Sequence, residues 1–334
     1  MDKKNLIAVT GGAGYIGSHS VQALLNCGYE VLILDNLSTG FEFLINKGAI
    51  FEKVDLLDYE SLKKVLKKYK PAVVIHFAAL IIVSASFDEI YNYFMNNSVG
   101  TLNLLNCMYE NDIENIVFSS TAAVYGITNH RNLITENDLL NPINPYGSSK
   151  MMAEQMIKDF AVAKKIKYSI LRYFNVAGAD LELRTGELAK LSTHLIKIIA
   201  EVVVNKRDKL KIFGNNYNTK DGTCIRDYIN VLDLANLHVS AMENMLKTKE
   251  SNIFNCGYGK GYSILDVVDV AEKIIGKSLN KEFVEKRAGD PDSLIADNSK
   301  IQNVLSFVPK YDDLNLIVKT AIDWEKHIVD KDIY

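Results

Sequence analysis

The stretch L-I-A-V-T-G-G-A-G-Y-I-G, from Leu6 to Gly17, decides the fold. Leu6 to Val9 read as a short buried strand, Gly11, Gly14 and Gly17 space a turn as G-x-x-G-x-x-G, and Val21, Leu24 and Leu25 follow at helical spacing. Strand, glycine turn and helix in that order bring backbone N–H groups and the positive end of a helix to one point, where a pyrophosphate binds. A glycine turn that merely packs helix on strand has the same spacing, so the neighbouring residues must choose between the two.

Working outward, Val31 to Leu34 form a second buried strand ending in Asp35, and Ile50 to Val54 a third ending in Asp55. Tyr59 to Tyr69 predict a helix with Leu62, Val65 and Leu66 on one face, stopped before Pro71. The alternation continues with strand 72–77, helix 91–110, strand 116–118, helix 148–163 and strand 168–171. Strands buried on both faces and alternating with helices predict an α/β fold with a doubly wound parallel sheet. After about Gly178 the rhythm breaks at the polar, turn-rich segment 205–223, so the chain is expected to divide into residues 1–177 and a smaller domain of residues 178–334. A helix predicted over 231–245 is free to cross back onto the first domain, and Ser263 with Asp266 three residues on opens another helix.

Asp35 lies 18 residues after Gly17, where its carboxylate accepts from both ribose hydroxyls of a dinucleotide and repels a 2′-phosphate. That favours NAD over NADP; the other reading of Asp35-Asn36 is a capped turn. Asp55 is placed to meet an adenine amino group or simply to close a solvated turn.

The composition narrows the partner. The 334 residues are 48% apolar and 24% charged, typical of an ordered globular chain, and 38 Lys+Arg against 41 Asp+Glu give a net charge of -3. No basic surface for nucleic acid or an anionic membrane is implied, so a small-molecule partner is expected. The cysteines Cys27, Cys107, Cys224 and Cys256 form no C-x-x-C pair and stand near no His at metal-ligand spacing, so neither a metal nor a disulfide is expected. With no signal-like or spanning apolar segment, the expected compartment is the cytoplasm.

Two further motifs carry chemistry. In P-Y-G-S-S-K, Tyr146 and Lys150 are four apart at a helix start and share a face. A nearby ammonium and a positive nicotinamide both stabilise phenolate, so a Tyr pKa ordinarily about 10 is lowered toward that of a working base. Strand 116–118 runs into Ser119-Ser120-Thr121, placing hydroxyls at the carboxyl end of a parallel strand, where open α/β sheets bind ligands. Alone, Tyr-x-x-x-Lys reads as a surface pair and Thr121 as a cap; glycine turn, Asp35, Ser-Ser-Thr and Tyr-x-x-x-Lys together argue for one site.

These residues, with L-D-N-L, H-F-A-A, F-S-S-T-A-A-V-Y-G and L-R-Y-F-N, resemble the extended short-chain dehydrogenase/reductases, and among them the enzymes that epimerise C4 of UDP-hexoses. The resemblance runs on through I-F-G-N-N-Y-N-T-K-D-G-T-C-I-R-D-Y-I-N-V-L-D-L-A and R-A-G-D-P, nearly the whole chain. It implies a seven-stranded nucleotide domain with a small sugar-nucleotide domain, and catalysis by Thr121, Tyr146 and Lys150. NAD would be held by Gly11, Gly14, Tyr15, Ile16 and Gly17 in the glycine turn, and by Asp35, Asn36, Asp55 and Leu56 at the next two strand ends. Phe77, Ala78, Ala79, Asn96 and Tyr173 would complete the cofactor set with Tyr146 and Lys150.

On the substrate side the resemblance implies Asn175 at the diphosphate or sugar, Phe213 in the uridine region, Arg226 and Arg287 on phosphate oxygens, and Asp290 on the uridine ribose. Beside Thr121 and Tyr146 it adds His194, Leu195, Lys211 and Leu294, the last as a wall of the hexose pocket. Three positions depart from the family pattern: Ile81 stands where a cofactor-contacting Lys is usual, and Lys197 and Val176 where Pro is usual. His19, His76, His130, His238 and His327 read as structural or solvated. The implied activity is NAD-dependent interconversion of UDP-glucose and UDP-galactose, with some turnover of the N-acetylhexosamine pair, by a homodimer. Alternatives are a nucleotide-sugar dehydratase or decarboxylase, or an NAD-binding sensor without turnover. Dehydratases carry acidic groups directly after the Thr, where this chain has Ala122-Ala123, and a sensor is free to lose the Tyr or Lys retained here.

Overall fold

The computed structural model describes residues 6–127, 133–189, 192–287 and 290–333; His130, and Ala288 and Gly289 of the R-A-G-D-P string, lie outside them. Among the described residues the main sheet has seven strands: β1 (Leu6–Thr10), β2 (Glu30–Asp35), β3 (Ile50–Lys53), β4 (Val73–His76), β5 (Asn115–Thr121), β6 (Lys167–Tyr173) and β7 (Asn252–Cys256). Their spatial order is β7-β6-β5-β4-β1-β2-β3, with parallel registers running from β3 through β2, β1 and β4 to β5. The order reverses between β1 and β4, the point at which such sheets bind ligands beyond their carboxyl ends. Thr10 is opposite Leu34 and His76, and His76 opposite Phe118, so the expected site segments leave the sheet from adjacent strands.

Among the longer helices that pack on these strands are α1 (Tyr15–Asn26), α2 (Tyr59–Tyr69), α3 (Gly100–Glu110) and α4 (Pro145–Lys164). The core between sheet and helices includes Leu32, Leu34, Leu62, Leu66, Leu104, Phe118 and Ile157. The helix expected over 91–110 is interrupted. Ile90–Tyr93 is α-helical, Phe94–Val99 forms a π turn, and α3 follows. Within the π turn the Asn97 amide binds Leu80 and Ser149, and Thr101 Oγ1 donates to the Asn97 carbonyl at 2.6 Å, contacts no periodicity announces. Helix α4 starts three residues before the expected Ser148, because Asn144 caps it, accepting from Gly147 N at 2.8 Å, and Pro145 occupies its first turn.

The chain forms two compact units, residues 1–126, 139–172 and 235–254 in one, and 127–138, 173–234 and 255–334 in the other. The sequence suggested one passage near 178 with a possible return over 231–245; the chain in fact passes five times between the units, and segment 235–254 joins the first because it carries most of the helix Val231–Thr248 and leads into sheet strand β7. In the second unit, Leu210–Phe213 pairs in parallel with Lys281–Val284, and Ile225–Arg226 lies between Tyr262–Ser263 and Ser293–Leu294. Ser263 and Asp266 make the reciprocal cap expected of them at the start of helix Ile264–Ile275.

Candidate active site

The turn after β1 is built for close backbone approach. A Cβ on Gly17 would stand 2.1 Å from the Gly11 carbonyl oxygen, so only glycine lets α1 begin this close to the strand end. Gly14 caps α1 with extended backbone and no side-chain bond, and the first turn carries no acidic residue. The helix's own first turn therefore adds no carboxylate to its positive end. Tyr15 and Ile16, half-buried, form that first turn.

Asp35 closes β2, 7% exposed, with Oδ2 accepting from Ala13 N at 3.0 Å and Oδ1 from Leu37 N at 2.8 Å. Burial raises its pKa above the usual carboxylate value, opposed by these two N–H donors. Each oxygen keeps a second lone pair for an outside donor, so a glycine cradle, a helix start with no side-chain cap and a carboxylate at the neighbouring strand end fit an adenine dinucleotide. Asp35→Ala is expected to strengthen NADP binding relative to NAD by removing charge repulsion, as read by titrating both nucleotides; a native preference for NADP would overturn the role given to Asp35. Asp55 serves a turn, accepting from Asn36 Nδ2 at 2.9 Å and Leu57 N at 2.8 Å. The Leu56 side chain belongs to the core, leaving only its backbone for a cofactor.

Beyond β4, Ala78 N donates to Thr10 Oγ1, Phe77 packs its ring 4.7 Å from His238, and Ala79 is half-buried. Asn96 donates to the Asn97 side chain at 3.1 Å, and Ile81 is exposed. Of the two readings given to His76, structural or solvated, its surroundings fit the first: it is buried, and its ring nitrogens meet Thr10 Oγ1 at 2.7 Å and Thr101 Oγ1 at 2.9 Å. Burial, followed by the charge of Lys150, pushes its pKa down to about 3, so it is neutral near pH 7.

The start of α4 brings Tyr146 and Lys150 to the end of β5. A Cβ on Gly147 would lie 2.6 Å from the Ala123 carbonyl oxygen, so the helix rests directly on the turn that follows Thr121. Thr121 ends β5 in extended conformation, its Oγ1 accepting from Ala123 N at 3.1 Å. Tyr146 and Lys150 are both buried, the Tyr146 ring edge-on to Tyr93 with centroids 6.5 Å apart, and Lys150 Nζ 4.5 Å from the Phe118 ring centre. Burial pushes the Lys150 pKa down to about 7, with the Glu154 carboxylate opposing the shift.

The sequence reading missed two groups beside these residues. Asn97 donates to Ser149 Oγ at 3.0 Å, and that hydroxyl donates to the Tyr146 carbonyl at 2.8 Å. Glu154 and Arg172 form a buried ion pair. Glu154 follows Lys150 by one helical turn, a spacing visible in the sequence, but its partner on β6 is not.

In the second unit, Arg226 pairs with Asp290, whose other oxygen accepts from Tyr217 OH at 3.0 Å. Arg287 stacks 4.0 Å over Phe213, and Leu294 lies opposite Arg226 in parallel register. Lys211, exposed, sits two residues from Phe213 on the same strand, hence on the same side. Asn175 N donates to the Asp227 carbonyl, and half-buried Tyr173 ends β6. His194 caps the helix Leu195–Val203 through its backbone, and its Nδ1 is 2.9 Å from Glu187 Oε1. Leu195 is half-buried in the first turn of that helix.

A glycine turn between strand and helix, a strand-end Thr and a buried Tyr-x-x-x-Lys pair define the short-chain dehydrogenase/reductase class of site. The profile of the NAD dependent epimerase/dehydratase family matches residues 7–257, and the chain belongs to that family. It is 42% identical over 322 residues to a UDP-glucose 4-epimerase of Azospirillum brasilense, covering 96% of this chain and 92% of the other. Its structure is similar to that of the UDP-glucose 4-epimerase of Brucella ovis in complex with NAD, at 41% identity and TM-score 0.92 over 96% of this chain and 98% of that one. It is also similar to the UDP-Glc/GlcNAc 4-epimerase of Campylobacter jejuni, at 44% identity and TM-score 0.85 over 97% and 99% of the two chains.

Proposed function

We propose that this chain interconverts UDP-glucose and UDP-galactose by epimerisation at C4, with NAD as a recycled cofactor. The observation that carries the reading is the buried pair Tyr146 and Lys150 set against the turn after Thr121, with Ala122 and Ala123 where an eliminating enzyme would need a carboxylate. Bound NAD supplies a hydride acceptor at the sugar's C4 and the donor that returns it. The Tyr146 oxygen takes the proton of the 4-hydroxyl and later gives it back, Thr121 Oγ1 holds the sugar oxygen, and the Lys150 ammonium stabilises the phenolate. Asp35 and the glycine turn hold the cofactor, as does the H-F-A-A segment with Asn96.

Within the second unit, Phe213 and Arg287 offer a stacking face and a guanidinium for a uridine diphosphate, and Arg226, Asp290, Asn175, His194, Leu195 and Lys211 complete the set. Firm nucleotide contacts with few hexose contacts suit a keto-sugar that must turn over before reduction. Incubation with UDP-galactose should yield UDP-glucose without net NADH; stoichiometric NADH, or a dehydrated product, would overturn the reading.

Leu294 faces the question of substrate breadth. Its half-buried position opposite Arg226 suits a wall of the hexose pocket, and leucine leaves more room than tyrosine for a 2-acetamido group. Turnover of the UDP-N-acetylhexosamine pair is expected to be measurable but slower than that of the hexoses. Leu294→Tyr should suppress the N-acetyl reaction selectively, by overpacking worth about 1–3 kcal/mol; equal loss on both pairs would remove Leu294 from the pocket wall. Free thiols at all four cysteines support a reducing, cytoplasmic setting. Exposed Ile90, Tyr91, Leu102, Tyr109 and Met152 support a homodimer through the helical segments 90–110 and α4, testable by light scattering.

A further inference from the structure

Glu154 is fully buried one turn beyond Lys150 on α4. Its Oε1 accepts from Ser120 Oγ at 2.6 Å and Arg172 Nε at 2.9 Å, and its Oε2 from Arg172 Nη2 at 2.6 Å. Arg172 Nη1 donates to Tyr125 OH at 2.9 Å. Ser120 immediately precedes Thr121, and Tyr125 closes the turn that follows it. The ion pair thus grips the chain on both sides of Thr121 from the helix that carries Tyr146 and Lys150. Apolar residues of similar volume commonly serve stability as well as a buried ion pair does, so stability alone does not call for one here.

We propose that Glu154, clamped by Arg172, is a positioning residue for the epimerisation: it holds Thr121 in place against Tyr146 and sets a fixed negative charge one turn from Lys150. This rests on the function proposed above. The charged and titratable groups facing Glu154 or Lys150 include Lys158 on α4, His76 on β4, and Tyr168 and Arg172 on β6, with Tyr125 after β5 on Arg172. His76 is neutral, and Lys158 Nζ stands 3.8 Å from Glu154 Oε2. Burial lowers the Lys150 pKa and Glu154 raises it, so neutralising Glu154 lowers it further, and the uncompensated charge of the buried Arg172 acts in the same direction. Because Lys150 must keep its proton to stabilise phenolate, the alkaline limb of kcat then moves to lower pH.

The test compares Glu154→Gln, Glu154→Asp and Ser120→Ala in the full chain with NAD bound. For Glu154→Gln, kcat for UDP-galactose should fall about tenfold or more with KM nearly unchanged, and the alkaline limb should move down by about half a pH unit or more. Glu154→Asp should lose kcat through altered geometry yet keep the limb, and Ser120→Ala should lose kcat about threefold with the limb in place. Independently of activity, the carbon-13 resonance of Lys150 Cε, assigned by its disappearance in Lys150→Met, should titrate at lower pH in Glu154→Gln than in the native protein. Native kcat, limb and lysine titration in folded Glu154→Gln, with only the thermal midpoint lowered, would reduce the pair to scaffold. If Glu154→Gln does not fold, native kcat in both Glu154→Asp and Ser120→Ala overturns the proposal. A native protein inert toward UDP-galactose refutes the proposed function, while the lysine titration still decides the electrostatic role of Glu154.

Discussion

Tyr146→Phe should lower kcat for UDP-galactose by about 10²- to 10⁴-fold, the range that a positioned proton-transfer group contributes, while KM stays close to native. The ring is buried against Tyr93 and its removal would open a cavity, but phenylalanine keeps that packing and deletes only the oxygen. Binding of NAD and UDP should survive, because the groups proposed for them lie mostly elsewhere: Asp35 and the glycine turn for one, Phe213, Arg226 and Arg287 for the other. Steady-state kinetics beside equilibrium binding of UDP separate the two effects. Near-native turnover by a well-folded Tyr146→Phe protein would sink the mechanism.

The second large effect is expected at the glycine turn. Gly17→Ala would drive a methyl group to 2.1 Å from a backbone carbonyl oxygen, and neither the Gly11 carbonyl nor α1 is the yielding end of a flexible side chain. Strand and helix must separate, at an overpacking cost of about 1–3 kcal/mol, which is about 5- to 150-fold in affinity if it falls on the bound state. Purified Gly17→Ala protein should retain less nucleotide than native protein, measured by absorbance of the denatured supernatant, and should recover part of its activity when NAD is added in excess. Full retention of NAD would show that the turn relaxes without cost and is not the cofactor cradle.

Much of the candidate site is legible from spacing because its parts are local. Gly11, Gly14 and Gly17, the Asp35 strand end, and Tyr146 with Lys150 each lie within a few residues of chain whose periodicity announces strand, turn or helix. The start of α4 escaped that reading, since its cap at Asn144 precedes the apolar pattern. So did the π turn at Phe94–Val99, where a side-chain contact from Asn97 to Ser149 replaces regular helix. In the second unit the elements are short, and the partner of Arg226, Asp290, lies 64 residues along the chain.

The sequence by itself determined the alternation of apolar strands and helices, the glycine turn between β1 and α1, and the shared helical face of Tyr146 and Lys150, all consequences of the 2.0 and 3.6 residue periods and of glycine's missing Cβ. Only the tertiary structure decided which distant groups meet: His76 between Thr10 and Thr101, Glu154 with Arg172 and Ser120, Arg226 with Asp290. It alone also buried Lys150 deeply enough to bring its pKa down to about 7. The reason is that a lysine's charge, a carboxylate's partner and a histidine's protonation depend on desolvation and on neighbours supplied by other strands, which no local spacing encodes.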